Sequence, residues 1–465
     1  MLDKGWEGSL FALSPLDGRY AAQCAPLRFY FSEAALIKRR IWIEVRYLAA
    51  LTTFLDKDAL TQAEKETLLA WAEDLRPGDL QRVKAIEAET RHDVKSVEYF
   101  VRENLAAMSL SRCSPWVHWG LTSEDVDNLA YGLALQQAKD ELLLPAHLQL
   151  VKALLDSARR YSRMVMLART HGQIAVPTTL GKEWVVFASR ATFFLEKLMA
   201  HRFSGKLNGA VGNFNAQQQI FPEQDWPAFS RRFIEELGLE PTVVTTQIEP
   251  ATHLVYFLDL LRQLNNVWLD LARDCWLYIS LGYFQQKVAE GAVGSSTMPH
   301  KVNPIDFENG EGNLQVANSL LLLLAEKLPI SRLQRDLSDK TVKRNLGVAF
   351  GYGLVAVQNV LWGLEGIAPC EAVLQQEVAA HPEVLAEAVQ LLLKTLGEEE
   401  AFQKIQSQVR GKADGWARTV AGLAEGPRRI VEGWRPEDYT GLAAQLTEQE
   451  IERIVQVLRI EGEER

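Results

Sequence analysis

Residues 251–286 read ATHLVYFLDLLRQLNNVWLDLARDCWLYISLGYFQQ. Leu254, Phe257, Leu261, Leu264, Trp268, Leu271 and Cys275 recur at alternating steps of three and four, an a/d seam sustained over three heptads. Neither glycine nor proline interrupts the stretch before Gly282. At ~1.5 Å per residue the predicted helix is roughly 50 Å long, which is hard to cover inside one compact domain and therefore predicts a bundle of long helices. Companion helices are predicted over 136–166, with Pro145 as a kink or break, and over 182–203, 311–327 and 347–364. Strand-like alternation is scarce. The best β candidate is 241–248 (PTVVTTQI), and 211–220 reads as a hairpin or loop. The expected architecture is all-α with three domains: 1–115 of mixed short helices, 116–365 holding the long-helix bundle, and 366–465 a smaller helical domain with a charged tail.

The composition fits an ordinary globular chain, with 465 residues, 47% hydrophobic and 24% charged. A formal net charge of −10 argues against nucleic-acid or membrane-surface binding, which favours a basic face. A small anionic ligand needs only a local cluster of cations and is not excluded. Cys24, Cys113, Cys275 and Cys370 are far apart, with no CxxC pair, so free thiols in a reducing cytoplasm are expected rather than a zinc site. The first twenty residues show no signal-peptide run, and no stretch approaches the ~20 uncharged apolar residues of a membrane span.

Chemistry concentrates in a few segments. GAVGSSTMPHKVNP, Gly291 to Pro304, joins two predicted helices with two glycines, two prolines, two serines, a histidine, a lysine and an asparagine. A bland inter-helix turn is shorter and simpler. Arg169-Thr170-His171-Gly172-Gln173 sets polar groups beside a histidine, with Gly172 permitting close backbone approach. Thr122-Ser123-Glu124-Asp125 fits a capping box, and a helix N-terminus also suits an anion. TRHDVK (90–95), QRDLSDKTVKRN (334–345) and DGRY (17–20) read alone as solvated faces or turns.

The GSSTMPHKVNP loop resembles the signature of the fumarase/aspartase superfamily, of general form GSSxMPxKxNP. Its extended form GSSTMPHKVNPIDFEN, ending at Asn309, resembles the adenylosuccinate lyase family of bacterial type. SPLDGRY, TRHDVKSVEYF, LTSEDVDN, RTHGQ, TTQIEP and SRLQRDLSDKTVKRNLG extend the resemblance from Ser14 to Tyr352. The resemblance implies a fumarase/aspartase-like fold and a homotetramer. The central domains of the four chains would form a twenty-helix core, with active sites shared between subunits. It implies β-elimination of fumarate from succinylated purine nucleotides without metal or cofactor, in the cytoplasm.

On that resemblance Ser295 is the general base, and His171 the general acid that protonates the leaving nitrogen. Thr122, Ser123, Thr170, Gln247, Ser296, Lys301 and Asn303 match groups around the succinyl portion, with Val302 and Asn309 among the binding residues. Arg19, Tyr20, Arg335 and Arg344 match groups around the nucleotide and its phosphate. Arg91 and Asp93 match the purine region, and His92 a second active-site histidine.

Three positions depart from the family pattern. Lys340 stands where a serine usually faces the phosphate, so it either keeps that contact or alters nucleotide preference. Ile174 replaces a proline, and Trp119-Gly120-Leu121 replaces the usual residues before TSED. The alternatives at this stage are another lyase of the superfamily, such as argininosuccinate lyase or the carboxymuconate cycloisomerase, and a catalytically silent structural protein.

Overall fold

The computed structural model describes residues 9–287, 298, 300–412 and 414–460. The long seam forms as its spacing dictates. The helix Thr252–Ser280 buries Leu254, Phe257, Leu261, Leu264, Trp268, Leu271 and Cys275. It ends just before Gly282, whose φ of 75° closes the turn. The companions are Leu180–Ala200, Ile305–Lys327 and Leu346–Glu365. The 136–166 segment is divided differently from its pattern. The helix Ser123–Ala138 runs through a π turn, Lys139–Leu143, into the helix Leu144–Arg160. Leu144 N–H bonds the Lys139 carbonyl, so the ladder is already shifted by one residue where Pro145 removes a donor.

The chain divides into two compact units, Met1–His147 with Lys197–Asn266 and Gly312–Ala356, and Leu148–Glu196 with Val267–Glu311 and Val357–Arg465. In the first, the helices Glu33–Leu55, Gln62–Glu73, Pro77–Thr90 and Asp93–Ala107 share a core that includes Ile41, Val45, Leu48, Leu68, Val83 and Val97. Their starts are chemically marked. The Ser32 hydroxyl accepts the Ala35 N–H, and Thr61 with Glu64 forms a reciprocal capping box.

In the second unit, the strands Val165–Thr170 and Gln173–Thr179 form an antiparallel hairpin. The helix Glu371–Ala380 packs on the first strand, with Leu167, Val378 and Val384 as a small apolar cluster. Phe284–Gln286 pairs antiparallel with Ile367–Pro369. Helices from Ala386 to Val431 close around Val389, Ile405, Leu423 and Val431.

Two β readings need correction. Of 241–248 only Pro241 is in a strand, in a two-residue parallel bridge of Ser204–Gly205 with Glu240–Pro241. Beyond it the Asn208 side chain occupies the Val243 carbonyl and the Thr245 hydroxyl, so side-chain bonds replace a ladder. Within 211–220 the residues Asn215–Ile220 form a short helix rather than a hairpin. The stretch Ser338–Glu365 is long and apolar enough to cross a membrane by composition, but 61% of its apolar window is buried inside the protein, the ordinary place of a core helix. Large apolar side chains stay exposed along the long helices, among them Phe193, Trp276, Leu277, Leu322, Leu323 and Trp362.

Candidate active site

The segment RTHGQ forms the tip of the 165–179 hairpin. Thr170 pairs with Gln173, leaving His171 and Gly172 as a two-residue turn with φ of 54° and 74°. Positive φ at both centres is the type I′ geometry that matches the twist of a hairpin. Gly172 is there for its backbone angle, since a Cβ would meet nothing within 4 Å. Thr170, His171 and Gln173 are all exposed. A turn at the end of two short strands thus leaves His171 exposed.

The same unit carries the signature stretch. Ser295 and Ser296 lie outside the described residues. Of the rest, Lys301 is exposed and its N–H bonds the Met298 carbonyl at 3.1 Å. Gln286 Nε2 donates to the Val302 carbonyl at 2.9 Å, so the two described ends of the stretch are tied together. Asn303 is half-buried just ahead of the helix Ile305–Lys327. Asn309 Nδ2 donates to Asn359 Oδ1 at 3.1 Å, linking that helix to Leu346–Glu365.

The first unit collects most of the remaining residues around the start of the helix Ser123–Ala138. Thr122 N–H donates to Asp125 Oδ2 at 2.9 Å, within the expected capping box. Asp125 also accepts from Asn208 N–H and Gly209 N–H and pairs with Lys206 Nζ at 2.9 Å, both side chains being fully buried. Glu124, equally buried, receives Arg335 Nη2 at 3.3 Å and Lys343 Nζ at 2.9 Å. Arg335 Nη1 reaches Gln247 Oε1 at 3.3 Å, and Gln247 donates to the Ala210 carbonyl. A second knot joins Asp93 and Asp127 to Arg40 at 3.0 and 2.6 Å and to Lys340 at 2.6 and 3.2 Å.

Arg91 and His92 sit at a helix junction: Arg91 has φ 54° at the end of Pro77–Thr90, and His92 Nδ1 accepts the Lys95 N–H at the next helix start. Half of the His92 side chain remains exposed. Arg19 is exposed and Tyr20 packs beside Leu16, Cys24 and Val355. Arg344, exposed, lines a cavity of about 300 Å³ with Ser14, Asp17 and Arg28.

Comparison with known proteins reads this pattern. A lyase family model matches residues 18–317, and an adenylosuccinate lyase C-terminal model matches 331–424. The adenylosuccinate lyase of Escherichia coli K12 is 42% identical over 450 residues, covering 95% of this chain and 99% of that one. That of Vibrio cholerae is 41% identical over 451 residues, with 95% and 99% covered. The chain belongs to the adenylosuccinate lyase family. The C-terminal match carries the family likeness to Ala424, well past the last motif read from sequence. Solved structures of a 3-carboxy-cis,cis-muconate lactonizing enzyme from Pseudomonas putida (TM-score 0.72, 20% identity, 93% of this chain and 97% of that one) and of a fumarate lyase from Mesorhizobium sp. BNC1 (0.73, 17%, 92% and 97%) share the fold.

Within this family member, Lys340 is held by two carboxylates, and its charge is balanced inside the protein. Burial would raise the Asp93 carboxyl, but Arg40 and Lys340 outweigh it and hold the group at about 2. Lys343 is driven the opposite way: burial would lower it, and Glu124 and Asp339 raise it above the usual lysine range. Both groups are therefore charged at neutral pH. The depression of Asp93 corresponds to about 2 kcal/mol of folding stability. It is present above the ordinary carboxylate range and lost as pH falls through about 2. Lys340→Met leaves Arg40 alone to serve both acids, so it should lower stability by about 2–3 kcal/mol at pH 7. It should also move the acid limb of unfolding to higher pH. Circular dichroism of the two proteins between pH 2 and 5, about the carboxylate range, checks this; superimposable curves would show that Lys340 does not hold Asp93.

Sequence reading missed several members of these knots. Glu124 was visible only as part of a helix start, and Arg335 pairs with it rather than with Asp336 or Asp339. Arg40 gave no local signal, and Asp127 sits inside LTSEDVDN without a role of its own. His118 was also missed: it has φ 59° and its Nδ1 lies 2.5 Å from the fully buried Glu44. Burial would lower that imidazole, but Glu44 outweighs it and raises it above the ordinary histidine value.

Proposed function

We propose that this chain catalyses β-elimination of fumarate from adenylosuccinate, giving AMP, and from succinylaminoimidazole carboxamide ribotide, giving aminoimidazole carboxamide ribotide, in purine nucleotide biosynthesis. The observation that carries the reading is the 42% identity to a curated adenylosuccinate lyase across nearly the whole of both chains. In this reading Ser295 removes the proton from the carbon beside a substrate carboxylate. The charge left behind spreads into that carboxylate, where Lys301 and loop N–H donors stabilise it. The C–N bond then breaks. His171 gives its proton to the departing nitrogen, so the nucleotide leaves with a neutral amine and fumarate leaves as a dianion.

Thr122, Ser123, Thr170, Gln247, Ser296, Lys301 and Asn303 would hold the succinyl portion, with Val302 and Asn309 among the substrate-binding residues. Arg19, Tyr20, Arg91, His92, Asp93, Arg335, Lys340 and Arg344 would surround the nucleotide. Arginine suits a phosphate through its paired donors. Lys340 would do so while paired with Asp93 and Asp127.

The enzyme works as a cytoplasmic homotetramer with sites shared between subunits. Exposed Trp276 and Leu277 on one long helix, and Leu322 and Leu323 on another, support that reading, since large apolar side chains are more often covered than left in water. The exposed turn carrying His171 supports it too, because a catalytic acid needs walls.

The direct test is purified protein mixed with adenylosuccinate, with products separated by chromatography. AMP and fumarate should appear in equal amounts. Folded protein that leaves adenylosuccinate intact but converts argininosuccinate or a carboxymuconate would overturn the substrate and keep only the superfamily.

A further inference from the structure

We propose that Arg169, Tyr283 and Glu377 form a positioning triad that fixes the base of the His171 turn within its own unit. The proposal rests on the reading of His171 as general acid. Each Glu377 carboxylate oxygen takes one donor: Oε1 receives Arg169 Nη2, and Oε2 receives the Tyr283 hydroxyl. Arg169 Nε closes the ring on the Tyr283 oxygen at 3.1 Å, and the guanidinium lies 5.9 Å from the tyrosine ring centre. The three residues come from three separate parts of the chain: the acid hairpin, the residue before the strand Phe284–Gln286, and the helix Glu371–Ala380.

Two features make such an anchor necessary. The hairpin register slips between Leu167 and Arg169, so beyond the bulge the tip is held by the pairs Arg169–Ile174 and Thr170–Gln173. A two-stranded tip of this size has little stability of its own. Arg169 adjoins Thr170 directly, and fixing its guanidinium fixes the backbone from which the turn springs. At the other side, Tyr283 is 2% exposed and stacked on Tyr278, and its carbonyl accepts the Cys370 N–H. Three residues on, Gln286 donates to the Val302 carbonyl. The triad therefore pins the base of the acid turn to a buried tyrosine and to the helix Glu371–Ala380. Burial and the Glu377 charge push the Tyr283 hydroxyl up to about 12, so it stays a donor throughout the neutral range. The opposite charges of Arg169 and Glu377 add no net charge to the unit.

None of the three residues is placed against substrate, so their loss should fall on kcat and spare KM. Glu377→Gln keeps the shape and removes the charge that orients both donors. In the full-length protein it should melt within a few degrees of the parent and lower kcat about 10- to 100-fold, with KM nearly unchanged, the usual consequence of a catalytic group displaced by about 1 Å. Tyr283→Phe should cost less alone, and should add little in the Glu377→Gln background because the residues act as a unit. His171→Asn is measured beside them. An inactive His171→Asn with parental kcat in Glu377→Gln overturns the triad and leaves the acid assignment standing. A fully active His171→Asn overturns the acid assignment itself. A Glu377→Gln protein that loses melting temperature but keeps kcat assigns the triad to stability alone and overturns the proposal.

Discussion

Ser295→Ala and His171→Asn should each lower fumarate release by about 10²- to 10⁴-fold, the range that removal of a positioned proton-transfer group commands. The two losses differ in kind. Without Ser295 the carbon-bound proton has no acceptor, and elimination cannot begin. Without His171 the nitrogen must leave as an anion, so the poorer the leaving group, the larger the loss. The two succinylated substrates differ in that nitrogen, and His171→Asn should separate their rates where Ser295→Ala slows both. A mixture of the two inactive chains adds a further readout. If one site draws these residues from different subunits, hybrid oligomers contain some sites with both groups intact, and activity returns on mixing. Full activity in either single variant would sink the mechanism, while failure to regain activity on mixing would sink the shared site.

Asp125→Ala should destabilise the first unit by about 3–5 kcal/mol, a large share of the 5–15 kcal/mol typical of a folded domain. Asp125 holds three backbone donors, Thr122, Asn208 and Gly209, and one ammonium, Lys206, with no solvent exposure at either charge. Removing the carboxylate strands Lys206 in the core, where its other bond is to the Gly209 carbonyl at 3.1 Å. It also uncaps the helix that carries Thr122 and Ser123 into the candidate site. Urea unfolding measures the loss. Asp125→Asn should lose less, because its oxygen still accepts from part of the set. Adding Lys206→Met to Asp125→Ala should recover much of the deficit, since the stranded charge is then gone. A deficit below about 1 kcal/mol for Asp125→Ala would mean that the network is not what fixes this helix start.

These predictions rest on residues of unequal visibility. The seam from Leu254 to Cys275 was legible because helical periodicity is local, and every one of its positions is buried. The starts of the long helices were less so. Ile305–Lys327 begins six residues before the apolar pattern suggests, because Pro304 and the polar residues that follow it mask the first turn. The His171 hairpin was missed altogether. Its turn is His-Gly rather than the usual Asn-Gly, and its bulge breaks the two-residue alternation that marks a strand. Conversely, the β-rich composition of 241–248 was misleading, since Asn208 claims that backbone with its side chain.

By itself, the amino-acid sequence determined the helical class and the family. Those properties live in periodicity and in short motifs, both of which survive without knowledge of distant neighbours. Only the tertiary structure decided which charges neutralise one another. Arg335 faces Glu124 rather than the adjacent acids, Lys340 is shared by Asp93 and Asp127, and Arg169 meets Tyr283 and Glu377 from 114 and 208 residues away. A charged side chain chooses its partner by distance and burial after the helices have packed, and no pattern along the chain records that choice.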